Sequence, residues 1–191
     1  IRQLESKFVE RSVIPTDPVI AFFDYLLEDF ADEWCTKYMF HYRWSPPQDA
    51  DNAGTLLPFC SKVDLADDTF QHFKVFVTDR QINRLKYVGS NEITAPLIDE
   101  SYRRFLSALE ASLTRQPFVL GQRPSACDFA IFGQLTQLIG FDPTSRKIAY
   151  ETSVRVVAWV DIMADLSGHD IDNSNWTSLE DSPSTLKEIL K

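Results

Sequence analysis

The stretch whose reading decides the fold is residues 118–159. It reads Phe118-Val119-Leu120-Gly121, then Arg123-Pro124-Ser125-Ala126-Cys127-Asp128-Phe129-Ala130, then an apolar segment to Gly140, then Asp142-Pro143, and closes on Val157-Ala158-Trp159-Val160. Ser125-x-x-Asp128 has the spacing of a capping box with Asp in the place of Glu. In that arrangement the Ser125 hydroxyl accepts from the amide of Asp128, and the Asp128 carboxylate reaches back to the amide of Ser125. Pro124 stands before the cap, placed to pack on Phe129 as a hydrophobic staple. A capping box alone is common. Following Phe-x-x-Gly and leading into a buried helix and then a Trp-bearing one, it is far more specific.

Glycine and proline divide the rest of the chain into helices. Residues 1–8 read as the end of a helix and 9–16 as a connector holding Pro15. Asp17 then caps a new helix with Pro18 at its first position, a strong start signal. That helix is expected to run to Trp44, about 40 Å, where Pro46-Pro47 stops it. Phe23, Leu27, Phe30, Trp34, Tyr38 and His41 fall at helical spacing on it, with Trp34 expected in the core. Polar residues 48–57 read as a loop. Residues 64–87 read as a second helix with Phe73, Phe76, Val77, Ile82 and Leu85 as its apolar positions. Residues 94–114 read as a third, capped by Thr94, with a stripe of Ile98, Tyr102, Phe105, Leu106 and Leu109. Residues 125–139 form the fourth, in which Gly133 suggests close approach of another helix. Residues 152–166 form the fifth. Residues 169–182 read as irregular and 182–190 as the start of a last helix.

The 191 residues suit one domain with tails, and 44% hydrophobic content with 14 Phe and 4 Trp is ample for a core. The formal charge of -9 argues against nucleic acid, which needs a basic face, and against an anionic membrane surface. No apolar run approaches the length of a membrane helix, about 20 residues. Cys35, Cys60 and Cys127 are few and widely spaced, so a reducing, cytoplasmic setting is the expectation. Gly-x-Ser-x-Gly, phosphate-loop and Gly-x-Gly-x-x-Gly patterns are missing, which removes support for hydrolase, NTPase and dinucleotide readings. His41, His72 and His169 are scattered, and no Glu-x-x-His occurs, so no metal site is expected. Asp24, Glu28 and Asp32 stack at i,i+4 and call for a basic partner among Arg80, Arg84, Arg103 and Arg104.

Taken together, Phe118-x-x-Gly121, Ser125-x-x-Asp128 and Trp159, with Leu27-Glu28-Asp29-x-x-Asp32-Glu33-Trp34 and Phe40-His41-Tyr42-Arg43-Trp44, resemble the C-terminal helical domain of cytosolic glutathione transferases. The resemblance covers roughly residues 1–168. It implies an all-α helical bundle over residues 17–168, residues 1–16 as the tail of a thioredoxin-like domain and its linker, and 169–191 as an irregular extension. It also implies glutathione as co-substrate, held mainly by a thioredoxin-like half that lies outside this sequence, a small hydrophobic electrophile, and a homodimer. The family's catalytic Tyr, Ser or Cys belongs to that other half, so no catalytic residue is carried over and this chain alone is expected to be inactive. The family often has Pro near the start of the Trp helix, where this chain has Val154. The alternative is a non-catalytic binding or assembly module with the same fold.

In such enzymes the first long helix of the helical domain supplies much of the electrophile wall. Here it offers Tyr38, His41, Tyr42 and Arg43 as substrate-binding candidates, on neighbouring faces of the helix. An aromatic wall with a few polar groups suits a small-molecule pocket, and packing into the core is the competing expectation for the same residues. Ser125 and Asp128 are assigned to the cap, not to catalysis. Cys127, beside them, reads as a small buried residue.

Overall fold

The computed structural model describes residues 2–8, 11–170, 176–178 and 180. Its elements are α1 (Arg2–Glu5), α2 (Pro18–Phe30), a π turn (Ala31–Cys35), α3 (Thr36–Trp44), α4 (Pro47–Ser61), α5 (Asp67–Ile82), a 3-10 turn (Leu85–Val88), α6 (Ala95–Leu113), α7 (Ala126–Leu138), α8 (Pro143–Thr152) and α9 (Val154–Ala164). The described chain is all-α. Its only extended pairings among the described residues are isolated bridges from Gly121 to Phe118 and to Trp176. The expected last helix over 182–190 lies outside the described residues.

Asp17 starts α2 by accepting from the amides of Val19 (2.8 Å) and Ile20 (3.0 Å), with Pro18 preset for the first helical position. The helix continues into α3 but is not regular. A π turn holds more residues per turn than an α-helix, so every residue after it is rotated back. Cys35 therefore enters the core, at 1% exposure, while Trp34 stands 44% exposed and only reaches Ser101 Oγ with its indole N–H at 3.4 Å. The expectation of a core Trp34 is corrected for this reason. The buried stripe is Ile20, Asp24, Leu27, Ala31, Cys35, Tyr38 and Tyr42.

Residues 48–57, expected as a loop, lie inside α4. The helix begins with Pro47 at its first turn, and its Asp49 is fully buried because the carboxylate accepts from the Thr144 amide (2.8 Å) at the start of α8. That tertiary contact overrides a composition rich in turn formers. α4 packs closely on α5: a Cβ on Gly54 would stand 2.3 Å from Thr78 Oγ1. α5 has no buried residue, and its expected core positions Phe76 and Ile82 are 62% and 41% exposed. Gly133, by contrast, faces open space and not another helix, so its reading as a close-approach site is corrected too.

α7 is the hub, with α2, the π turn, α3, α8 and α9 around it, and α6 closing the bundle against α3, α8 and α9. Ile131, Leu135 and Leu138 of α7 meet Leu27 and Tyr38 from the long helix, Tyr102, Leu106 and Leu109 from α6, and Val156, Trp159 and Met163 from α9 in one core. The N-terminus of α7 is buried, so its orphan amides need internal acceptors. Ser125 and Asp128 form the capping box: the Ser125 amide donates to Asp128 Oδ2 at 2.9 Å, and the Ser125 hydroxyl donates to the same oxygen at 2.7 Å. Asp128 Oδ1 also accepts from the Val119 amide at 2.9 Å. The Ala126 amide bonds to the Val13 carbonyl (2.9 Å) and the Cys127 amide to Asp24 Oδ1 (2.8 Å). Asp24 thus faces a helix N-terminus and not an arginine, which corrects the expectation of a basic partner. Arg103 pairs instead with Asp99.

Burial pushes the Asp128 carboxyl up to about 6, and raises Asp24 as well. Between the unfolded value near 3.8 and the folded value, the native chain holds a proton that the unfolded chain has released. Stability therefore falls as pH rises through that window and is flat above it, a swing of roughly 3 kcal/mol from Asp128. Asp128→Asn is expected to remove that share of the slope in urea unfolding followed from pH 4 to pH 7. It should also lower stability at pH 7 by about 1–3 kcal/mol, because an amide offers one fewer acceptor to the buried N–H groups. Parallel pH profiles for the two proteins would refute the assignment.

Candidate functional site

Tyr38, His41, Tyr42 and Arg43 all sit on α3, and α3 is packed on α6, α7 and the 3-10 turn, so the four side chains are drawn inward. All four are buried. Tyr38 OH pairs with Ser101 Oγ at 2.7 Å on α6. His41 Nδ1 pairs with Ser90 Oγ at 2.8 Å. Tyr42 donates to Asp99 Oδ1 at 2.7 Å, and Arg103 Nε donates to the other oxygen of that carboxylate at 2.7 Å. Arg43 turns away from these groups. Its Nε and Nη2 take the two oxygens of Asp142 at 2.8 and 2.9 Å, Nη2 also reaches Gln137 Oε1 at 3.0 Å, and the guanidinium lies 4.4 Å from the Phe141 ring centroid.

The structure thus brings Tyr38, His41 and Tyr42 to the seam between α3 and α6 and its approaches, with His41 and Tyr42 edge to face at 5.3 Å. It sends Arg43 to the corner between α7 and α8. The partners Ser90, Asp99, Ser101 and Asp142 were missed in the sequence. One signal was present: Asp99 and Arg103 stand at i,i+4, the spacing of a helical ion pair.

Electrostatics limits what the seam can do. Burial pushes the Tyr38 phenol up to about 12, and burial followed by the hydrogen bond to Asp99 raises Tyr42 further still. Both are therefore neutral donors at ordinary pH, not phenolate nucleophiles. Burial lowers His41, so its imidazole is neutral, with nearby Asp99 acting the other way. Burial pulls Asp99 up, but the hydrogen bonds from Arg103 and Tyr42 outweigh it and hold the carboxyl below its usual range. Burial also raises the thiols of Cys35 and Cys127, which makes them inert. The seam offers aromatic surface and fixed hydrogen-bond donors, and no activated nucleophile.

None of the four side chains lines either of two cavities formed by described residues. A groove of about 470 Å³ runs between α4 and α8, and a smaller cavity of about 130 Å³ lies among the connector, Pro124, Phe129 and the end of α9. Among the described residues no helix is long and apolar enough to cross a membrane. Against known proteins, no protein-family model, no curated protein and no solved structure matches this chain.

Arg43 and Asp142 form a buried bidentate pair, in which burial raises the Asp142 carboxyl even against the guanidinium. Removing one partner leaves an uncompensated buried charge. Arg43→Met is expected to cost about 3–5 kcal/mol in chemical denaturation, and Arg43→Met combined with Asp142→Leu to recover most of it. A loss in the double variant equal to the sum of the losses in Arg43→Met and Asp142→Leu alone would show that the pair is not coupled.

Proposed function

We propose that this chain is the helical half of a glutathione transferase-like enzyme, in which it forms the hydrophobic wall against which an electrophile meets glutathione. The observation that carries the reading is the α7 junction. A Ser125–Asp128 capping box lies at the buried start of a central helix, and it also ties down residue 119 of the preceding Phe-x-x-Gly turn. This is the arrangement that the family resemblance calls for at those positions. The long α2–α3 helix and the Trp159 helix packed on the same core support it. In the reaction the glutathione thiolate forms a C–S bond to an electrophilic carbon as a bond from that carbon to a leaving group breaks, the leaving group departing with the electron pair. The thiol would be activated by a thioredoxin-like half, since the phenols of Tyr38 and Tyr42 and the guanidinium of Arg103 at the seam are already engaged with internal partners.

A second reading, a non-catalytic binding or assembly module, is favoured by a specific observation: Tyr38, His41, Tyr42 and Arg43 each already hold an internal partner. Glutathione titrated calorimetrically into the complete gene product decides between them. Binding in the micromolar to millimolar range, with conjugation of an electrophile weakened by Tyr42→Phe, is the expected outcome. A folded protein that does not bind glutathione leaves the module.

A further inference from the structure

We infer that the groove between α4 and α8 is a binding site for a small aromatic carboxylate. The inference is independent of the reading above, since it rests on α4 and α8 and needs no glutathione. At about 470 Å³ the groove lies within the size range of ligand pockets. Its walls are mostly apolar, with Leu56 from α4, Phe141 and Pro143 from the corner, and Tyr150 from α8. Leu56 and Tyr150 remain 40% and 58% exposed, so they present free apolar surface to a ring. The two ionisable side chains of the lining other than Tyr150 are both cations, Arg146 and Lys147, in a chain whose formal charge is -9.

The guanidinium of Arg146 is held in place. Its Nε donates to the Ile139 carbonyl at 2.5 Å and its Nη2 to the Gly140 carbonyl. These bonds orient the group and leave its charge unneutralised, with N–H donors to spare. Arg146 makes no ion pair among the described residues, and Lys147 has only an exposed contact to Glu151 at 3.6 Å. The two walls are stitched together by Asn52 Nδ2 on the Phe141 carbonyl (3.2 Å) and by Asp49 on Thr144. The groove is therefore preformed, which lowers the ordering cost of binding. A guanidinium takes a carboxylate through paired N–H bonds. An aromatic ring beyond the carboxylate covers Leu56, Phe141 and Tyr150, which a bare inorganic anion would leave bare.

The test is an amide chemical-shift titration of the 191-residue chain with naphthoate, and with naphthalenemethanol as the neutral counterpart. Saturable shifts confined to α4, the corner and α8, at millimolar affinity or tighter, are expected, with the alcohol at least about tenfold weaker. Leu56→Glu places a like charge in the groove at an exposed position, and the spectrum itself reports whether it is folded. It should abolish naphthoate binding. Shifts that do not saturate, shifts elsewhere on the protein, equal binding of the alcohol, or unchanged binding by Leu56→Glu would each overturn the inference.

Discussion

The constraint on which the structure depends is the need to satisfy helix N-termini that begin inside the protein. Each helix start leaves amides without intrahelical acceptors, and burial takes water away as a substitute. Here the acceptors come largely from carboxylates on other helices. Asp24 of α2 takes the Cys127 amide of α7 and Asp49 of α4 takes the Thr144 amide of α8, and at the exposed start of α9 Glu110 of α6 takes the Arg155 and Val156 amides in the same way. The positive end of each helix dipole favours the negative charge set against it. Each contact also names a pair of neighbours, so the caps specify which helix lies beside which as well as stabilising them.

The same contacts explain why acidic residues sit where hydrophobic patterning would not place them. Asp24 occupies the buried stripe of α2 between Ile20 and Leu27 because its partner is a backbone amide, not a side chain. Keeping such carboxylates inside is costly, as the raised pKa values of Asp24 and Asp128 register. What that cost secures is geometry: an apolar residue at position 24 would pack but would leave the Cys127 amide orphaned. The C-terminus of α7 is handled in the complementary way, by Ser145 Oγ on the Leu138 carbonyl (2.6 Å) and by Arg146 on the carbonyls that follow. Residues from outside the central helix thus help to close both of its ends.

Signals that act within one turn were legible in the sequence. Asp17-Pro18 and Ser125-x-x-Asp128 read correctly as helix starts because the capping residue and its hydrogen-bond partners lie within a few residues. Signals that depend on a distant partner were not legible. α4 is rich in turn formers and is helical in a setting where Asp49 reaches a residue 95 positions away. α8 went unrecognised although Asp142-Pro143 marks its start; its first turn is fixed by that same contact and its capping Asp142 by Arg43. The π turn leaves no mark in the apolar spacing, so Trp34 and Cys35 exchanged roles. At the candidate site, Tyr38 and Tyr42 fall at the same helical spacing whether their hydroxyls meet a ligand or meet Ser101 and Asp99.

That ambiguity has a physical resolution. A side chain can serve a ligand only if exchanging its internal partner for the ligand costs little. His41 is paired with the hydroxyl of a buried serine and Arg43 with a fully buried carboxylate, so displacing either partner leaves a buried polar group orphaned, and the Ser101 partner of buried Tyr38 would keep only the long 3.4 Å contact from Trp34. Tyr42 differs, because the Asp99 side chain it bonds is 40% exposed and keeps Arg103 as a second partner. Water and Arg103 can hold Asp99 if the phenol turns to another acceptor. Of the four residues, Tyr42 is the one whose donor is released at the least desolvation cost, and the edge of the α3–α6 seam at Asp99 is where the bundle can open to a ligand without breaking its buried caps.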